Sequence, residues 1–525
     1  MKFRHISALI ALFVVACSQG VISPTSTPTV NHPTLAPAFL PEFAPPGTFQ
    51  PAACRFILPE DTQEGEDVEC GYLFVPESRD AQAQPGGRVI RLAVAIFHPP
   101  GGPTRPDPLM YLSGGPGVSA LELIRYQFDL LSEPAFSTGR DLILFDQRGV
   151  GLSRPALDCP GFDQLALELV DREVDGRQVS DEEIETHLLN SLISCRDELE
   201  KIADLSEYNT AASAADVNDL QAALGYPEIN LWGGSYGTRL ALEVMRRYPQ
   251  GPRSVVLDAV YPPDVDLYAQ APDNFSRALE RMFESCANNP VCSAAFPDVR
   301  QVLFETVAQL NTKPAMSEIT NPFTGEKYQS WMDGNTILAL TFQLLYDSQL
   351  RYLIPQYIYD ASQGNFTAFD QVRGALIGLR SRTSRGMMLS VQCQEELAFS
   401  SLQDFQSRLA RHPELEDTYH NSLMGEIVYS ICQEWNVGAA DASSKQPVSS
   451  ALPTLLMSGE FDPVTPPAWG QQAAKTLTQA YSYEYPGIGH GASVIAGCPQ
   501  EMMVAFLANP SVAPNSACIE AMRKP

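Results

Sequence analysis

Ser235 stands in Ile229-Asn-Leu-Trp-Gly-Gly-Ser-Tyr-Gly-Thr238, where Gly233, Ser235 and Gly237 fit the pattern G-x-S-x-G. Strand-type residues precede the motif. Leu240, Val244 and Tyr248 follow it at helical spacing. A strand, a sharp turn and a helix in that order present the serine hydroxyl on a strained turn, with small residues on both sides. That hydroxyl becomes an effective nucleophile only with a base in hydrogen-bond reach. Among the seven histidines, His490 has the setting of such a base. It lies in Pro486-Gly-Ile-Gly-His-Gly491, straight after an apolar strand, where small neighbours let an imidazole swing over a sheet edge. The base in turn needs a carboxylate to fix its tautomer. Asp462 follows Leu455-Leu-Met457 in Ser458-Gly-Glu-Phe-Asp-Pro-Val-Thr-Pro-Pro467 and is the preferred acid; Glu460 and Asp258 are its rivals. Acyl transfer also needs donors for an oxyanion. The Tyr236 amide is one. The loop Tyr111-Leu-Ser-Gly-Gly-Pro-Gly117 supplies the other, with Gly115 favoured over Gly114.

The elements that must hold these residues are legible as strand-like runs at 72–75, 91–97, 109–112, 142–145, 229–232, 255–257, 454–457 and 481–485. The first two read as a hairpin, and helical stretches separate several of the others. One helix is expected over Thr210–Leu224, capped by Thr210 and closed by Gly225. The pattern predicts an α/β fold: a mostly parallel, eight-stranded sheet with helices on both faces. Between Pro263 and Pro447 strand character is lost, and runs such as Asn335–Tyr346 are helical and apolar. This interval reads as a helical cap inserted over the carboxyl edge of the sheet, where open α/β sheets place ligands. No internal repeat is visible.

The order Ser235, Asp462, His490 is that of the α/β-hydrolases. Ser-Gly-Gly-Pro-Gly at 113–117 resembles the HGGPG loop of prolyl aminopeptidases, with Ser113 in place of histidine. Asp146-Gln-Arg-Gly-Val-Gly-Leu-Ser153 resembles their DQRGxGxS segment. Gly-Gly-Ser-Tyr-Gly-Thr at 233–238, Asp462-Pro-Val-Thr-Pro466 and Gly489-His-Gly491 resemble the tripeptidyl-aminopeptidase branch. The likeness runs over about 70–262 and from 452 to the end. Asp146 and Arg148 read as a structural pair within their loop. The resemblance implies an exopeptidase acting on peptides with a free amino terminus, with no metal or organic cofactor. Burying that amine is costly unless carboxylates pair with it. Glu395 or Glu396, in Gln392-Cys-Gln-Glu-Glu396, is the candidate partner. A carboxylesterase or lipase on the same scaffold, or a silent binding lipoprotein, are the alternatives.

The N-terminus reads as an export signal over residues 1–16, with Lys2 and Arg4 before the apolar run from Ile6 to Ala16. Val14-Val-Ala-Cys17 resembles the lipobox of bacterial lipoproteins, which implies lipidation at Cys17 and a membrane contact through that anchor alone. Residues 17–53, rich in Pro, Thr and Ser, read as a disordered tether. The remaining chain divides into a first core part at 54–262, the cap at 263–447 and a second core part at 448–525. Eleven cysteines suit an exported chain. Setting Cys17 aside leaves ten, and proximity suggests the pairs Cys54–Cys70, Cys159–Cys195, Cys286–Cys292, Cys393–Cys432 and Cys498–Cys518. The formal charge of −27 argues against nucleic acid as a partner. A monomer is expected.

Overall fold

The computed structural model describes residues 44–523, apart from 81–86, 170–172, 175–176, 323, 380–382 and 421. The expected export signal, the expected lipidation site Cys17 and the expected tether as far as residue 43 lie outside the described residues.

Nine strands form one twisted sheet. They are β1 (Thr48–Pro51), β2 (Val68–Pro76), β3 (Val89–Phe97), β4 (Leu109–Leu112), β5 (Leu142–Phe145), β6 (Ile229–Gly234), β7 (Pro252–Asp258), β8 (Thr454–Gly459) and β9 (Ala480–Tyr485). Their spatial order is β1-β2-β3-β5-β4-β6-β7-β8-β9. β1, β2 and β3 run antiparallel, and β3 meets β5 antiparallel. From β5 to β9 every pairing is parallel. Central strands such as β4 and β5 are fully buried apolar runs, as a sheet covered on both faces requires. All eight expected strands are present. The ninth, β1, falls within the stretch expected to be disordered tether, and pairs with β2 from Thr48↔Phe74 to Pro51↔Gly71. An edge strand needs only one partner, so the proline at its end is tolerated.

Helices pack on both faces of the sheet. Leu121, Ile124, Met503 and Phe506 belong to one apolar layer, and Val217, Leu220, Leu240 and Val244 to the other. α1 (Ala120–Phe136) follows β4, and α3 (Tyr236–Arg247) follows β6. α2 (Thr210–Leu224) ends at Gly225 with φ 76°, as the glycine predicted. Its N-cap is Asn209 rather than Thr210: the Asn209 side chain accepts from Ala212 N at 2.9 Å. Thr210 is one residue inside the helix, because its amide and hydroxyl are both claimed by Glu395 at 2.6 Å.

The interval between β7 and β8 is mostly helical and includes α4 (Leu267–Asn288), α5 (Gly334–Tyr346) and α6 (Arg385–Gln392). It is not purely helical, since Ala315–Thr320 and Lys327–Met332 form an antiparallel hairpin. That hairpin was missed because the run alternates buried and exposed residues on a small solvated ribbon, without the buried apolar strands of the main sheet. The apolar core of this interval continues into Phe461, Val464 and Trp469, which flank Asp462 along the chain. Insert and sheet therefore share one packed interior at the point where the candidate acid sits.

Five disulfides join the pairs that proximity suggested: Cys54–Cys70, Cys159–Cys195, Cys286–Cys292, Cys393–Cys432 and Cys498–Cys518. Such a set belongs to an oxidising, extracytoplasmic setting. No helix among the described residues is long and apolar enough to cross a membrane.

Candidate active site

Ser235 occupies the turn between β6 and α3 with φ 54° and ψ −121°, a conformation that non-glycine residues rarely adopt. The flanking glycines explain how the turn is held. A Cβ on Gly237 would overlap the carbonyl oxygen of Leu112, and one on Gly233 would overlap that of Gly237. The turn can only close if both positions lack side chains, so the strain of about 1–3 kcal/mol at Ser235 is offset by the packing around it. The Ser235 amide donates to the carbonyl of Asp258 at the end of β7, at 2.9 Å.

His490 and Asp462 meet as the chain order implied. His490 Nδ1 lies 2.8 Å from Asp462 Oδ2. The carboxylate also accepts from Val464 N at 2.8 Å, Thr465 N at 2.9 Å and the Thr465 hydroxyl at 2.6 Å. Complete burial pushes the Asp462 carboxyl up, but the imidazole charge and these hydrogen bonds outweigh it and hold the group below its ordinary range. Asp462 is thus built to stay ionised. The other ring nitrogen, His490 Nε2, is buried with no hydrogen-bond partner among the described residues. His490 and Ser235 line the same small cavity, of about 20 Å³. A base with one nitrogen anchored to a carboxylate and the other unengaged beside a serine is the arrangement that proton abstraction needs.

The two rival acids do other work. Glu460 accepts from Gly487 N at 3.0 Å and pairs with Arg281. Asp258 accepts from Ala492 N at 2.8 Å, Ser493 N at 2.7 Å and the Ser493 hydroxyl at 2.5 Å. Its side chain holds the segment after His490 while its carbonyl holds Ser235, so one residue ties the two loops together. The location of Asp258 at a strand's carboxyl end was the signal; its stapling role needed the fold.

The Gly115 loop and Tyr236 follow neighbouring parallel strands, since Leu112 is in register with Gly233. Gly115 has φ 108°, and a Cβ there would crowd the amides of Gly117 and Val118. Its loop is braced by Gln147 Nε2, which donates to Ser113 O at 2.9 Å, and by Ser384 N, which donates to Gly117 O at 2.8 Å. Tyr236 opens α3, where the first amides have no intrahelical acceptor and the helix dipole favours negative charge.

The insert grips the histidine loop directly. Tyr346, the last residue of α5, stacks on the His490 ring with centroids 4.1 Å apart, and its carbonyl accepts from His490 N at 2.9 Å. Arg277 of α4 donates to the carbonyls of Glu460 and Asp462 at 2.8 and 2.5 Å. Neither residue carried a sequence signal, because each contact spans more than a hundred residues.

Glu395 and Glu396 are placed elsewhere. Both are buried, and neither lines the Ser235 cavity. Glu395 accepts from Thr210 and sits 3.2 Å from Arg239; Glu396 pairs with Arg239 and, at 2.9 Å, with Lys445. Two carboxylates facing two cations leave no excess negative charge for a substrate amine. Asp146 and Arg148 are structural, but they do not pair with each other. Asp146 accepts from Ser119 Oγ, Leu121 N and Leu152 N, whereas Arg148 forks onto Asp216 at 2.7 and 2.8 Å. No cluster of His, Cys, Asp and Glu fit to hold a metal occurs among the described residues.

The model of the alpha/beta hydrolase fold family matches residues 107–495. The chain belongs to that family. Over 482 residues this hydrolase is 24% identical to serine protease Hip1 of Mycobacterium tuberculosis, covering 88% of this chain and 89% of that one. It is 31% identical over 205 residues to a tripeptidyl aminopeptidase of Streptomyces coelicolor, covering 38% of this chain and 36% of the other. It is also 28% identical over 243 residues to carboxylesterase B of Mycobacterium tuberculosis, covering 46% and 45%.

Proposed function

We propose that the chain is an exported serine exopeptidase, a lipoprotein anchored through Cys17, that releases residues or short peptides from the amino termini of peptides. The observation that carries the hydrolytic step is the His490 ring: Nδ1 fixed on Asp462 at 2.8 Å, Nε2 unengaged, and the residue lining the same cavity as Ser235. Ser235 attacks the scissile carbonyl as His490 takes its proton. The Gly115 and Tyr236 amides receive the oxyanion. His490 then protonates the leaving amine, which departs, and the acyl group stays as an ester on Ser235. Water, deprotonated by the same imidazole, releases it, and Asp462 remains ionised throughout.

The peptidase reading draws on the HGGPG-like and DQRG-like segments and on relatives named as a serine protease and a tripeptidyl aminopeptidase. An aminopeptidase must still recognise a protonated amine. Glu395 and Glu396 are not proposed for that task, because Arg239 and Lys445 already neutralise them. The likeness to a carboxylesterase favours a second reading, in which the same Ser235 chemistry cleaves carboxylic esters. Mass-spectrometric profiling of a peptide library, half of it N-acetylated, separates the two. The exopeptidase reading predicts stepwise loss from free amino termini and none from blocked ones. Intact peptides alongside rapid hydrolysis of p-nitrophenyl acetate would overturn it in favour of the esterase.

A further inference from the structure

Any acyl group carried by Ser235 must project into space beside that residue. The cavity there is about 20 Å³. Its apolar walls come from four separate places: Tyr111 at the end of β4, Trp232 in β6, Tyr346 at the end of α5, and Val494 in the histidine loop. Tyr111 and Trp232 lie edge to face with centroids 4.9 Å apart, and Trp232 Nε1 donates to Ser493 Oγ at 3.0 Å. Tyr346 is held against the His490 ring. These aromatic walls are therefore braced, and none can recede without disturbing the base or the elbow strand. A space of this volume holds about one water molecule, and a methyl group is of similar size. Among the described residues the one acidic side chain on the cavity, Asp258, has its oxygens taken up by Ala492 N, Ser493 N and Ser493 Oγ.

We infer that this cavity is the acyl side-chain pocket and that it selects a hydrogen or a methyl group: the residue whose carbonyl is attacked is glycine or alanine. Branched, aromatic and cationic side chains are excluded, the first two by the walls and the last by the want of a free counter-charge. The inference rests on Ser235 being the acylated residue, and it holds for either leaving group, amine or alcohol.

Two substrate series test it on the full-length protein. The first is Ala-Ala-X-p-nitroanilide and X-p-nitroanilide with X as Gly, Ala, Val, Phe or Lys. The second is the p-nitrophenyl esters of isobutyric, 2,3-dimethylbutyric and 2-methyl-3-phenylpropionic acids, in which a methyl group replaces the amine of alanine, valine and phenylalanine. Alanine should exceed valine by about ten-fold or more in kcat/KM, with phenylalanine and lysine lower still. Isobutyrate should lead its series by a similar factor. Val494→Ala, which removes two methyl groups from the wall, should raise the valine-to-alanine and dimethylbutyrate-to-isobutyrate ratios several-fold. These ratios are internal to one folded preparation, so a loss of total enzyme does not mimic them. If anilides are untouched while esters follow the size order, the exopeptidase reading fails and the pocket stands. Flat profiles, or a preference for phenylalanine, lysine or methylphenylpropionate in whichever series is cleaved, overturn the pocket.

Discussion

Replacing Asp462 by Asn is the sharpest single perturbation of this site, because the surroundings dictate how the amide must sit. Oδ1 of Asp462 accepts two backbone amides, Val464 N and Thr465 N, at 2.8 and 2.9 Å. Only an oxygen can stay there. The amide NH2 of Asn must then occupy the Oδ2 position and face His490 Nδ1, 2.8 Å away in the native protein. Nδ1 is forced to accept, so the ring proton moves to Nε2, the nitrogen that should take the proton of Ser235. A tautomer of that kind cannot act as the base. In a Ser-His-Asp protease the equivalent change lowers kcat by about 10⁴-fold, or about 5.5 kcal/mol of transition-state stabilisation. The same loss is expected here, with KM little changed, since Asp462 is fully buried and does not line the Ser235 cavity. The assay is kcat and KM on the best anilide or ester, with a thermal melt to verify folding. A folded Asp462→Asn protein losing less than about ten-fold would refute the reasoning and return Asp258 or Glu460 to consideration.

Three other outcomes follow from the packing. Burial pushes the Asp146 carboxyl up to about 7. Between the unfolded value near 4 and that point the folded state holds the extra proton, so stability falls as pH rises, by at most about 4 kcal/mol. Melting from pH 4 to 8 should fall more steeply for the native chain than for Asp146→Asn, and parallel curves would count against it. Removing the Cys393–Cys432 disulfide, which closes a 39-residue separation, should cost about 4 kcal/mol in the loop-entropy view, read as a lower urea midpoint for the double alanine variant. Arg239→Met strands Glu395 and Glu396 without their shared cation and should destabilise by about 3–5 kcal/mol; a variant as stable as the parent in urea would mean the pairing is idle.

Much of the site was readable because its signals are local. The glycines around Ser235, the small residues around His490 and the position of Asp462 just beyond an apolar strand each reflect a steric need met within a few residues. The eight strands were legible for the same reason, since a strand buried on both faces is written as an apolar run. What stayed hidden depends on partners far away in the chain. Composition hid β1, because a proline-ended edge strand resembles tether. Thr210 looked like a cap until Glu395, 185 residues distant, was seen to claim it. Glu395 and Glu396 looked available for a substrate amine because nothing in their neighbourhood announces Arg239. Tyr346, Arg277 and Asp258 act by holding loops that only the folded sheet brings beside them.

The central claim is that Ser235 is the nucleophile and His490 its base, and labelling with a fluorophosphonate followed by peptide mapping tests it most directly. The account predicts one adduct, on Ser235, formed by the native protein and abolished by Ser235→Ala. In a folded His490→Ala protein the rate of adduct formation should fall by orders of magnitude. An adduct on another residue, or one on Ser235 that forms equally fast without the imidazole, would contradict it.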